Sequence, residues 1–187
     1  MHASTTKPRR TRIYTLTSMA FGCALLMLSA FLTISIPPMA PVTLQTFAVF
    51  LVTLWLGWKN GFLTVLAYIV CGALGLPVFA GGNGGFGVLV GSTGGYIFGF
   101  LLIPLVSGAL LHLLPCRMLS KYAALTAGLA ACYLFGTIWF THLYSAANGK
   151  IGFLSALLMC VVPYILPDLA KMTVAILLWQ RVAPQVE

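Results

Sequence analysis

Apolar and polar positions along this chain fall into long blocks, not into the short alternations of a soluble fold. A polar, basic start leads into an apolar run over residues 13–36 that ends at Pro37-Pro38. A core of roughly 30 Å needs about 20 apolar residues per helix, so this run predicts a first transmembrane helix. It is longer than the core of a secretory signal and lacks a convincing cleavage site. A short outer connection, MAPVTLQT, covers residues 39–46. Second and third helices are predicted over residues 44–57 and 62–75, with Trp58-Lys59-Asn60-Gly61 as an inner turn between them. Both are short for a bilayer, so they must tuck against neighbours or their loops must dip inward. A fourth helix is predicted over residues 96–114, stopped by Pro115, and a fifth over 122–143. Residues 145–150 read as an outer loop. A last apolar segment over 151–180 is too long for one straight span and contains Pro163 and Pro167. Pro167 suits the first position of a new helix, which predicts a break just before Asp168 and a half-helix N-terminus aimed into the bundle.

The pattern predicts an all-α integral membrane protein of six transmembrane helices. It forms a single domain, residues 1–187, with a basic cytoplasmic tail over residues 1–12. Composition agrees: 60% of residues are hydrophobic, 6% are charged, and the mean hydropathy is +1.03. The net charge of +8 could suggest a nucleic-acid partner, but the placement of the cations explains it as topology. Lys7, Arg9, Arg10, Arg12, Lys59, Arg117, Lys121 and Arg181 fall at one side of the predicted spans. Lys150 falls on the other, and Lys171 lies within a span. This bias puts both termini in the cytoplasm. No nucleic-acid partner is expected. The five cysteines (23, 71, 116, 132, 160) show no metal-binding or redox spacing and read as packing residues. No metal or cofactor is expected.

Eleven of the nineteen glycines lie between Gly72 and Phe100. The run Ala80-Gly81-Gly82-Asn83-Gly84-Gly85 cannot be a stable helix, because each glycine costs about 1 kcal/mol against alanine. Irregular backbone at membrane depth must be buried in protein or line a cavity. A flexible outer connector is the plainer alternative, but Leu76, Phe79, Phe86 and Leu89 interleave the glycines. The match of Gly82-Asn83-Gly84-Gly85-Phe86-Gly87 to a dinucleotide fingerprint lacks the preceding strand and the acid about 20 residues on.

Asp168 is the only acid before Glu187. It sits in an apolar segment three residues before Lys171, so the two share a helix face. An ionisable residue at that depth defaults to a functional role. The alternative is a neutral pair that only staples helices. His112 and His142 fall near span ends. No carboxylate pair or Ser/His/Asp set can be assembled, so enzymatic chemistry has little support. Ala20 and Ala24, with Gly22 between them, form a small-residue face on the first helix that would let another helix approach closely.

Taken together, these residues resemble the BioY family, the biotin-binding S components of energy-coupling factor (ECF) transporters. The resemblance is carried by residues 75–85 (GLPVFAGGNGG), 91–96 (GSTGGY) and 41–45 (PVTLQ), and by Asp168-x-x-Lys171. It implies a six-helix protein of the bacterial cytoplasmic membrane with an outward-facing cavity. It implies biotin as ligand, a coupling transmembrane subunit docking on Ala20 and Ala24, and two ATPase subunits as partners. The substrate-binding residues expected are Gln45, Gly82, Asn83, Gly84, Gly85, Tyr96, Asp168 and Lys171. Asp168 would accept ureido N–H bonds, and Asn83 or Lys171 would donate to the ureido carbonyl. Leu76, Phe79 and Tyr96 would pack the rings. Lys171 or loop amides would hold the carboxylate. Ser92 stands where the family usually has proline. Ile97 stands where some members have an arginine, so no carboxylate contact carries over there. A stand-alone biotin facilitator, or a membrane enzyme acting on a lipid-linked substrate, are the other readings.

Overall fold

In the computed structural model the described residues are 9–34, 42–115, 117–149 and 151–182. Lys7, Pro37, Pro38, Pro41, Cys116, Lys150 and Glu187 lie outside them, and with them the expectations placed there.

The first helix, α1 (Arg9–Phe31), begins within the basic stretch and stops before the predicted proline pair. It stops because Thr33 and Ile34 leave the helix to pair antiparallel with Thr43 and Val42, as β1 (Thr33–Ile34) and β2 (Val42–Thr43). The second helix, α2 (Gln45–Ala73), has two arms divided at Gly57, whose φ of 73° and ψ of −179° suit only glycine without strain. The arms fold back on each other. The Gln45 side-chain amide donates to the Tyr68 hydroxyl, a contact between residues 23 apart in sequence. In a straight helix they would be roughly 35 Å apart. Five helical stretches among the described residues are long and apolar enough to cross a membrane, and one of them, α2, is divided at Gly57.

The run over residues 80–85 is not an α-helix, and backbone hydrogen bonds tie it to the end of α2. The backbone of Gly85 donates to the Gly72 carbonyl at 2.7 Å and that of Phe79 to Asn83 at 2.8 Å. Phe79 is buried edge-on against Tyr68, and a Cβ at Gly72 would fall 2.2 Å from the Phe79 ring. The glycines therefore let the loop lie flat on the end of α2, with a short 3-10 turn at Ala80–Gly82 and the five-residue helix α3 (Phe86–Val90).

The predicted fourth span is one helical run with a turn at Phe100 and Leu101, both in helical φ/ψ. It consists of α4 (Gly94–Gly99) and α5 (Leu102–Leu113). Pro104 lacks the N–H that would serve the carbonyl four residues back, at Phe100, and its ring crowds that turn. The fifth span, α6 (Met118–Asn148), runs past the predicted loop start at Ser145, since no breaker precedes Gly149, whose φ is 94°. The closest approaches of α4 to α6 place the Trp139 side chain over Gly95 and the Tyr96 ring over Gly136.

The last segment breaks earlier than predicted. Its parts are α7 (Phe153–Cys160) and α8 (Val162–Val182), with Val161 at φ −122°, ψ −51° between them. The break is set by Pro163, which cannot serve the Met159 carbonyl in a continuous helix. Pro163 occupies the first turn of α8, and Pro167 lies inside that helix. The predicted break before Asp168 is thus corrected. The free N–H groups of α8 belong to its first turn, and Asp168 sits in the helix proper. One end of the bundle gathers Trp58 against Gly108, the Lys121 ammonium 3.9 Å from the Trp179 ring centre, and Gln180 against Met118. Lys59, Arg117 and Arg181 adjoin these contacts, which makes this the cation-rich end.

Candidate functional site

Asp168 lies six residues into α8 and roughly 20 Å from Arg181 along the helix. It is 3% exposed. A carboxylate that far from water must be compensated, since an unpaired buried charge costs several kcal/mol. Three elements supply the compensation. From α8 itself, the Lys171 ammonium donates to Oδ1 at 2.7 Å. From the start of α2, the Thr46 hydroxyl donates to the same oxygen at 2.9 Å. From α6, the Tyr133 hydroxyl donates to Oδ2 at 2.5 Å. Lys171 also reaches Thr46 Oγ1 at 3.3 Å. The carboxylate is held at both oxygens, and the ion pair is neutral overall.

These groups form one wall of a cavity of about 510 Å³, counted out to its mouth. Thr43 lines it from β2 and Thr46 from the start of α2, and Tyr96 and Phe100 from α4 and its end. Cys132 and Tyr133 line it from α6, and Cys160, Tyr164, Asp168 and Lys171 from α7 and α8. The break at Val161 follows Cys160, which lies at the edge of this space. On another wall Tyr96 shares a hydrogen bond with Thr137 at 3.1 Å. The cavity thus has an apolar and aromatic body, one ionic node and one hydroxyl node.

Of the expected site residues, Asp168, Lys171 and Tyr96 come together here. Gln45 is buried one residue from Thr46, but its amide is engaged by Tyr68, which in turn donates to the Val78 carbonyl at 2.9 Å. It braces the loop and does not line the cavity. Asn83 stands on the glycine-rich loop with its amide on the Ala80 carbonyl at 2.8 Å. Gly82, Gly84 and Gly85 do not line the cavity either. The amide of Gly82 serves Phe79 at 3.0 Å and that of Gly85 serves Gly72, so the expected nest of free loop amides is not formed by these two. Gly84 is needed for packing, because a Cβ there would fall 2.2 Å from the Leu76 carbonyl oxygen. Phe79 packs inside the protein and Leu76 is half-exposed, so neither lines the cavity.

Thr46, Tyr133 and Tyr164 were not anticipated. Tyr164 could have been found from the helical arc around Asp168, four residues back. Thr46 adjoins the PVTLQ block. Tyr133 carries no signal beyond being a hydroxyl in an apolar helix. Cys132 and Cys160, expected as packing residues, are buried and also reach the cavity edge.

The BioY family model matches residues 3–187. A probable biotin transporter BioY of Pyrococcus horikoshii is 38% identical over 162 residues, covering 87% of this chain and 91% of the relative. The biotin transporter BioY of Thermotoga maritima is 40% identical over 162 residues, covering 84% and 89%. The fold also matches the crystal structure of the S-component for biotin from an ECF-type ABC transporter. The TM-score is 0.85 at 27% identity, over 96% of this chain and 95% of that one. This bundle of apolar helices around a cavity with an ionic node, matched by the family model over residues 3–187, is a member of the BioY family.

Proposed function

We propose that this chain captures biotin with high affinity at the outer side of the cytoplasmic membrane, as the substrate-binding subunit of an ECF-type transporter. The observation that carries the reading is the neutral Asp168–Lys171 node at the wall of an otherwise apolar and aromatic cavity. Biotin offers a cyclic urea with two donors and one acceptor, an apolar thiophane ring and chain, and a terminal carboxylate. Asp168 Oδ2 has one lone pair left after accepting from Tyr133, which suits a ureido N–H. Lys171 has a third N–H beyond those on Asp168 and Thr46, available to the ureido carbonyl or the carboxylate. Tyr96, Phe100 and Tyr164 supply ring faces.

Asn83 and the Gly82–Gly85 segment form, in this reading, the outer wall that the ligand meets once bound. Asn83 would have to release the Ala80 carbonyl to make a direct contact. Gln45 supports that wall through Tyr68. The cation-rich end is cytoplasmic, with both termini on that side, and the chain works as a single domain. As a transport subunit it performs no chemistry on its ligand. Energy is supplied by two partner ATPases through a coupling transmembrane subunit.

Ala20 and Ala24 are exposed on α1, whereas Gly22 between them is packed against Val52 and Thr64 of α2. The small pair thus remains open for a partner helix to approach closely. Cells holding the chain with a coupling subunit and ATPases should accumulate labelled biotin. Ala20→Leu should abolish most of that uptake while purified protein still binds biotin. Failure of the wild type to accumulate biotin would contradict the transport reading, and unchanged uptake by Ala20→Leu would show that this face is not the docking surface.

A further inference from the structure

A carboxylate is attached through a torsion with a broad, roughly two-fold profile, so an aspartate in an open cavity samples many orientations. Asp168 does not have that freedom. Oδ1 is fixed from α8 and α2, by Lys171 and Thr46. Those two contacts alone leave Oδ2 free to swing through the cavity. The Tyr133 hydroxyl, from α6, stops it at 2.5 Å. Charge-assisted O–H···O⁻ bonds of this length are the strong ones. The phenol has one proton, and that proton is committed to Asp168. Its oxygen therefore presents only acceptor lone pairs, beside the one remaining lone pair of Oδ2. This side of the node can receive donors and has none to offer.

We propose that Tyr133 is a positioning and specificity-determining residue. By engaging Asp168 Oδ2 it fixes the carboxylate plane and leaves the Oδ2–Tyr133 side of the node with acceptors only, Lys171 being the donor on the Oδ1 side, which selects ligands that present N–H groups at Oδ2. The proposal rests on the reading of the ligand as biotin, and it adds the residue that makes Asp168 selective. Without the phenol proton the carboxylate can rotate and take a water, which can then donate. A ligand lacking the N–H would no longer be penalised.

The test compares biotin with a biotin methylated on a ureido nitrogen, using binding isotherms on the purified full-length chain. The wild type should bind biotin and reject the methylated compound strongly. Tyr133→Phe should lose about tenfold in biotin affinity, as expected for removing a hydrogen bond to a charged group. It should change its affinity for the methylated compound less than about twofold, so discrimination collapses. A purely structural role would lower both affinities by the same factor, and that result, or unchanged biotin binding, would overturn the proposal. Tyr133→Gln places a neutral N–H donor near the same oxygen and should restore part of the discrimination. If Tyr133→Phe does not fold, this variant decides: discrimination near the wild-type level supports the proposal, and its loss overturns it. A wild type that binds no biotin would instead remove the biotin reading, and this proposal with it.

Discussion

Replacing Lys171 with methionine is expected to lower the stability of the protein by about 3–5 kcal/mol, the usual loss when one partner of a buried ion pair is removed. Methionine keeps the length and apolar stem of lysine, so packing changes little. What remains is Asp168, its side chain 4% exposed, with two hydroxyl donors and no counter-charge. Thr46 and Tyr133 solvate the carboxylate but do not neutralise it. A thermal melt of detergent-purified protein reads the effect directly. The double variant Asp168→Asn/Lys171→Met removes both charges and should recover most of the loss. If Lys171→Met melts like the wild type, the carboxylate is reached by water or by another cation, and the description of a dry ionic node is wrong.

Asp168→Asn is expected to fold and to lose biotin affinity by tenfold to a hundredfold. Its folding follows from the local inventory. The asparagine oxygen can accept from Lys171 and Thr46, and its NH₂ can donate to the Tyr133 oxygen once that hydroxyl turns its proton elsewhere. The site side is where the change bites. The lone pair that faced the cavity becomes an N–H donor, opposite a ureido N–H that is also a donor. Hydrogen bonds to charged groups are worth about 1.5–3 kcal/mol, which sets the expected range. A diamino analogue lacking the ureido carbonyl keeps its donors and should also bind this variant poorly. Biotin binding at wild-type strength by a well-folded Asp168→Asn would leave Asp168 and Lys171 as a helix staple only, and would move the site toward Asn83 and the loop backbone.

Much of this was legible in the chain because membranes make sequence patterns coarse. Run lengths and breakers located the apolar segments, and the turn expected at Trp58-Lys59-Asn60-Gly61 is instead a single non-helical residue just before it, Gly57. A single acid in an apolar segment could not be missed, and its lysine three residues on follows from helix geometry. What was not legible depends on cross-chain contacts of uncharged groups. Tyr133 and Thr46 look like ordinary residues of apolar helices until α6 and α2 are set against α8. The position of the break in the last segment was misjudged because both prolines fit a helix start. Pro163 comes first and sets it, which leaves Pro167 as a kink-tolerated interior residue. The glycine block signalled irregular backbone correctly, but sequence could not say whether its amides point at a ligand. Those of Gly82 and Gly85 close the loop on Phe79 and Gly72, and the Gln45 amide is engaged in bracing it.

The most direct measurement is a calorimetric titration of the purified chain with biotin, run beside other water-soluble vitamins. The account predicts tight binding of biotin at one per chain, and no comparable heat from the others. Absence of biotin binding together with clear binding of another vitamin would contradict the assignment of the ligand.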